Sequence, residues 1–175
     1  MLKLGLCALC LAFGCKPTPE PAEPDAAPEL GPGSEALEFS FSGGADLVVS
    51  SATTRGRVTA LAFVATYDMA SQLLLRRLAE VIVHFTPRAN AAAVVVEAPR
   101  YAELLPAYRD SLQLPFPVVM VDFATQQGQG PFASIQHVPT LVVLDRAGRE
   151  VARRQGALSA DEIEDELRNA AHRRP

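Results

Sequence analysis

The stretch FVATYDMASQ, residues 63–72, sets a carboxylate, Asp68, three residues before a hydroxyl, Ser71, where an apolar run gives way to a helical pattern. A carboxylate and a hydroxyl at that spacing could share a proton, and an imidazole nearby would complete the relay of a hydrolase. His137 could approach that junction, with Ser71 or Ser134 as nucleophile, but neither serine sits in a G-x-S-x-G turn. The plainer chemistry is structural. Asp is among the best helix N-caps, because its oxygen accepts from the second or third backbone N–H of the first turn. Its charge also meets the positive end of the helix dipole. Ser71 falls at the third helical position, where its hydroxyl can bond back toward the cap. Asp68 and Ser71 are therefore expected to hold the helix, not to catalyse.

The remaining reactive residues are scattered. His84, His137 and His172 lie on separate elements without metal-ligand spacing, so no metal site and no cofactor is expected. Gly128 and Gly130 in QQGQGPF do not follow a strand as a phosphate loop requires, and read as turn formers.

The elements that must position Asp68 and Ser71 follow from periodicity. LEFSF (37–41) and DLVVSS (46–51) read as short strands around a Ser42-Gly43-Gly44 turn. VTALAFVAT (58–66) and AAAVVVEA (91–98) are apolar runs of the kind covered on both faces. Between them a helix is expected from Met69 to about Phe85, closed by Pro87, with Leu74, Leu78, Val81, Ile82 and Phe85 on one face. A second helix is expected over 101–114, with Pro106 near its first turn or kinking it. PFPVVMVD (115–122) reads as a short strand, ATQQGQGPFASIQH (124–137) as a loop with a helical turn, and TLVVLD (140–145) as a core strand. REVARRQG (149–156) returns antiparallel through the Asp145–Gly148 turn. The last helix opens on a Ser159/Glu162 capping box and buries Ile163, Leu167 and Ala170. The order is that of an α/β domain: a central mixed β-sheet flanked by helices on both faces.

The ends of the chain speak to location. MLKLGLCALCLAFGC carries one positive charge, an apolar run too short to span a bilayer, and then Gly14-Cys15. It is expected to be a signal peptide over residues 1–14, with Cys15 resembling the lipidated cysteine of a bacterial lipobox, although Ala12 stands where that motif prefers Leu. Lys16 after the cysteine points to the outer membrane, with the domain facing the periplasm. Residues 15–36 are Pro-rich, with little to bury, and read as a semi-rigid tether to a domain over 37–175. All three cysteines precede residue 16. The formal charge of −4 gives no basic stripe for phosphate neutralisation, so no nucleic-acid partner is expected.

Two segments carry a family resemblance. FVATYDMASQ resembles the FWATWCxxCQ motif of thioredoxin-like proteins of the TlpA and redoxin branch, with Phe63, Ala65, Thr66 and Gln72 in register. HVPTLVVLDRAGREV resembles that family's VPTLFLIDRDGRIV, and LPFPVVMVD its intervening segment. The likeness runs from about Leu37 to Ala171 and implies a thioredoxin-like fold, with Pro139 cis and facing the motif helix. The departures are chemical. Asp68 stands at the nucleophilic cysteine and Ser71 at the resolving one, while Ala62 replaces the polar residue often buried beneath them. Disulfide exchange needs a thiolate to attack and a second thiol to release the mixed intermediate. The expected protein is a redox-inactive envelope lipoprotein, a protein- or peptide-binding or accessory module. The resemblance implies a groove formed by Tyr67, Asp68, Met69, Ser71, Val138 and Pro139, in which an extended chain pairs with the Val138 backbone. The alternatives are an envelope oxidoreductase that acts in thiol–disulfide redox or cytochrome maturation through a partner's cysteines, and a purely structural lipoprotein.

Overall fold

The computed structural model describes residues 35–44 and 47–173. The signal-peptide segment, Cys15, nearly all of the Pro-rich tether, Asp46 and Arg174 lie outside the described residues.

Seven strands form one mixed sheet in the order β2-β1-β5-β4-β3-β6-β7. They are β1 (Ser40–Ser42), β2 (Val48–Ser50), β3 (Val58–Val64), β4 (Ala89–Val95), β5 (Val118–Met120), β6 (Thr140–Leu144) and β7 (Glu150–Gln155). The helices are α1 (Ser51–Thr54), α2 (Met69–Phe85), α3 (Leu105–Ser111), α4 (Phe123–Gln126) and α5 (Ala160–His172). Strands β3, β4 and β5 are parallel, whereas β6 runs antiparallel beside β3 and β7 pairs antiparallel with β6 at the sheet edge.

Strand β3 is buried along its whole length, and its alternation divides two cores. Val58, Ala60, Ala62 and Val64 face α2 and α5, packing with Leu74, Leu78, Ile163 and Leu167. The small side chains of Ala60, Ala62, Ala91 and Ala93 let the bulky leucines of α2 approach the sheet closely. Both parallel crossovers, β3-α2-β4 and β4-α3-β5, step the same way across the sheet. Right-handed connections therefore set α2 and α3 on one face, and Leu105 of α3 joins that core. Leu61 and Phe63 point to the other face. There the segment that begins with α4 supplies Phe132 and Ile135, and Phe132 lies 5.0 Å from Phe63 between ring centroids.

The ends of α2 and α5 are fixed by specific bonds. Ser159 and Glu162 form the reciprocal capping box of α5. Arg77 of α2 donates to the carbonyls of Ala157 and Leu158 at 2.9 and 2.7 Å, tying α2 to the turn that leads into α5. Asp145 organises the β6–β7 turn by accepting from the N–H groups of Ala147 and Arg149, and Gly148 takes the positive φ of 81° that the turn requires.

Several boundaries differ from the sequence expectation. The first strand is only Ser40–Ser42, because Phe39 and Leu37 enter the core from irregular backbone. Ser51 opens a helical turn, not a strand end, since Ser50 and Thr53 form a capping box of their own. Strand β4 begins at Ala89 and ends at Val95. The single helix expected over 101–114 is a 3₁₀ segment (Pro99–Leu104) followed by α3. Pro106 has no N–H to continue the ladder and sits at the start of α3.

Candidate functional site

Strands β3, β4 and β5 end on the same side of the sheet, and β6 begins there. The segments 65–69, 97–101, 122–126 and 137–139 therefore gather at one end. Ligands of open α/β sheets usually lie at the carboxyl ends of parallel strands.

Asp68 is the N-cap of α2, in extended backbone. Its Oδ2 accepts from the Ser71 N–H at 2.8 Å and from the Ser71 hydroxyl at 2.7 Å. The Ser71 hydroxyl in turn accepts from the Ala65 N–H at 3.2 Å, and Ser71 is fully buried. The strand end, the cap and the first helical turn are thus joined through one oxygen. The Ser71 hydroxyl holds the Asp68 carboxyl below the ordinary aspartate range, with help from the backbone N–H groups of Ser71 and Ala70. The Ser71 hydroxyl donates to this carboxylate, and the lowering of the carboxyl makes it a poor acceptor for the serine proton.

Other members of the expected site separate into exposed and buried groups. Tyr67 and Met69 are 83% and 79% exposed. Val138 is half-buried and Pro139 is buried, behind a cis peptide bond. The Pro139 carbonyl accepts from Gly156, while none of the described residues bonds the N–H or C=O of Val138. Ala62 lies fully buried on the α2 side of β3, opposite Leu141 and Ala93. The triad geometry does not form. Ser134 receives a bond from Arg153, the His137 carbonyl is held by the Thr140 hydroxyl, and His137 itself is exposed. Among the described residues no group of three His, Cys, Asp or Glu could hold a metal ion.

Sequence reasoning missed a second polar cluster at this end. Glu97 accepts from the Thr66 N–H at 2.5 Å and from the Thr66 hydroxyl at 2.7 Å. Gln72 bonds the Thr66 carbonyl, and Gln126 of α4 bonds the Glu97 carbonyl at 2.9 Å. The loop that carries Tyr67 is therefore clamped by Glu97, just beyond the end of β4, and by Gln72 of α2. The Gln126 bond fixes α4 beside it, and α4 presents Phe123, 74% exposed. Beneath the clamp, the Tyr108 hydroxyl of α3 is buried with no hydrogen-bond partner among the described residues. Burial pushes it up to about 12, and the charges of Glu97 and Asp68 add to that effect. A lone acid ending the apolar run AAAVVVEA was the one signal in the sequence that could have pointed to Glu97.

This fold is shared with solved disulfide-exchange proteins. No family model matches the sequence, and neither does any curated protein. A DsbF homologue from Corynebacterium diphtheriae superposes with a TM-score of 0.68 at 15% identity, over 84% of this chain and 96% of that one. A thiol:disulfide interchange protein of the thioredoxin family from Chlorobium tepidum gives 0.65 at 18%, over 80% and 95%. A secreted Mycobacterium tuberculosis disulfide oxidoreductase homologous to E. coli DsbE gives 0.60 at 16%, over 76% and 96%. The chain has a thioredoxin-like fold, an α/β domain with a mixed sheet. Its structural neighbours are redoxins of the TlpA, DsbE and DsbF type.

Proposed function

We propose that this protein is a redox-inactive thioredoxin-fold lipoprotein of the bacterial envelope that binds an extended polypeptide at the carboxyl end of its parallel strands. One observation carries the reading: the two positions that resemble the redox cysteines hold Asp68 and Ser71, spent on each other and on the Ala65 N–H. Neither oxygen can form a reversible bond to sulfur. Beside this closed polar knot the surface stays open. Tyr67, Met69 and Phe123 offer exposed apolar area, and the Val138 backbone has both polar groups available for a strand to pair with. Met and aromatic side chains suit adaptable contacts of this kind.

The resemblance of residues 1–15 to a lipoprotein signal supports an anchor on Cys15, with the Pro-rich segment giving reach into the periplasm. The likeness to secreted and interchange-type thioredoxin folds agrees with an envelope setting.

A photo-reactive residue placed at Met69 of the full chain in cells is expected to give discrete protein adducts. The same residue at Arg76, exposed further along α2, should not. Adducts that are absent at Met69, or equal at the two positions, would contradict a groove in use.

A further inference from the structure

At the opposite end of the sheet, where β3 and β4 begin, lies a cavity of about 310 Å³. Its floor is apolar, made by Val58, Phe85 and Leu167. Its rim is cationic: Arg88, Arg146 and Arg168 line it, with His84 from α2 and His172 from α5. The one acid among the lining residues, Glu164, is engaged by Arg168 within α5. Arg88 and Arg146 have no ion-pair or hydrogen-bond partner for their side chains among the described residues. Arg168 also lies 4.0 Å from Asp165, so the surplus of positive charge is carried by Arg88 and Arg146, in a chain whose net charge is −4.

From this geometry we infer an anion site that takes a phosphate group carrying an apolar chain. Guanidinium forks match phosphate oxygens two at a time, and a surplus greater than one charge favours a phosphate over a carboxylate. The floor gives the chain a place to leave water. The cavity is of the size used for small ligands and is too small for a long acyl chain to be enclosed. Two sources offer this chemistry, a soluble phosphorylated amphiphile and the headgroup of an anionic phospholipid. The route of the chain bears on the second. Ala36 bridges Arg149, and the Leu37 N–H donates to the Gly148 carbonyl at 2.9 Å, so the tether enters the fold at the turn that carries Arg146. A tether held in a membrane would bring this end of the domain toward the bilayer. The site lies at the opposite end of α2 from Asp68, and its test is independent of the peptide-binding reading.

The experiment uses the full chain bearing Cys15→Ala, so that no lipid is attached, and compares it with an Arg88→Gln/Arg146→Gln variant of the same chain. Both arginines are exposed, so the variant should melt at the parent temperature. Calorimetric titration with octyl phosphate below its micelle concentration is expected to show saturable one-to-one binding. That binding should weaken roughly tenfold or more in the variant, as loss of charge-assisted bonds requires, and inorganic phosphate should bind less tightly than octyl phosphate. The second arm is co-sedimentation with phosphatidylcholine vesicles containing phosphatidylglycerol. Binding in this arm alone, lost in the variant, assigns the lipid headgroup as the source. Binding of octyl phosphate in solution assigns a soluble ligand. Absence of binding in both arms, or binding that the double substitution leaves unchanged, overturns the site.

Discussion

The Asp68 carboxylate grips Ser71 twice through a single oxygen, at 2.8 Å to its N–H and 2.7 Å to its hydroxyl. By the resemblance of the motif segment these positions correspond to the cysteines of thioredoxin-like proteins, and in the proposed function a hydrogen-bonded pair stands in the place of a redox couple. The pair closes the first turn of α2 onto the end of β3 through Ala65. It cannot store or release electrons.

Removing either member should cost stability by a different route. Asp68→Ala loses the cap and is expected to destabilise the fold by about 1 kcal/mol. Asp68→Asn keeps a capping oxygen and should cost less. Ser71→Ala strands the buried Ala65 N–H as well as breaking the bond to Asp68, at a cost of about 1–3 kcal/mol. Urea unfolding of the three variants should rank them with Asp68→Asn the mildest.

Acid should expose the same pair. The Asp68 carboxyl is lowered from its ordinary 3.8 by the Ser71 hydroxyl and by backbone N–H groups. A depressed carboxyl contributes stability that is fully present above the unfolded value and is lost as pH falls through the folded one. Glu38, lowered chiefly by the Ser51 hydroxyl, and Glu162, lowered chiefly by the Ser159 N–H, follow the same sign. Comparing the parent with Asp68→Asn isolates Asp68. Their difference in unfolding free energy should be flat near neutrality and shrink below a pH of about 4.

Alkali should act through Tyr108. Its hydroxyl is pushed from 10.0 up to about 12 by burial and by the charges of Glu97 and Asp68. In the unfolded chain the phenol ionises first, so stability present below pH 10 declines as pH rises toward 12. Tyr108→Phe removes a buried hydroxyl that lacks a partner among the described residues. Its stability at pH 7 should match or slightly exceed the parent's, and its alkaline unfolding midpoint should move upward.

What the sequence made legible was whatever rests on local pattern. Strand β3 announces itself as a continuous apolar run, α2 by Asp68 and its leucine stripe, and α5 by the Ser159/Glu162 box. The order of elements and the two motif segments led to a thioredoxin-like fold, which the coordinates and the solved neighbours share. Features that depend on distant contacts were not readable. Thr66 and Glu97 are 31 residues apart, and only the parallel pairing of β3 with β4 brings them together. Phe123 falls between the strand expected over 115–122 and the loop expected over 124–137, and Asp122 caps α4 so that the Phe123 ring is exposed. Ser51 continues a β-prone run, yet the Ser50–Thr53 box captures it for α1. His84 and His172 belong to different helices, and only the packing of α2 against α5 sets both on one cavity.

The most direct measurement is reduction of insulin disulfides by dithiothreitol, run with the parent chain, with a variant in which Cys7, Cys10 and Cys15 are all alanine, and with Asp68→Cys/Ser71→Cys. The parent and the cysteine-free chain should leave the uncatalysed rate unchanged, and the double variant should accelerate it, because the scaffold already holds both positions at the start of α2. Acceleration by the parent that persists in the cysteine-free chain would contradict a role without redox chemistry, since it would require catalysis by Asp68 and Ser71 themselves.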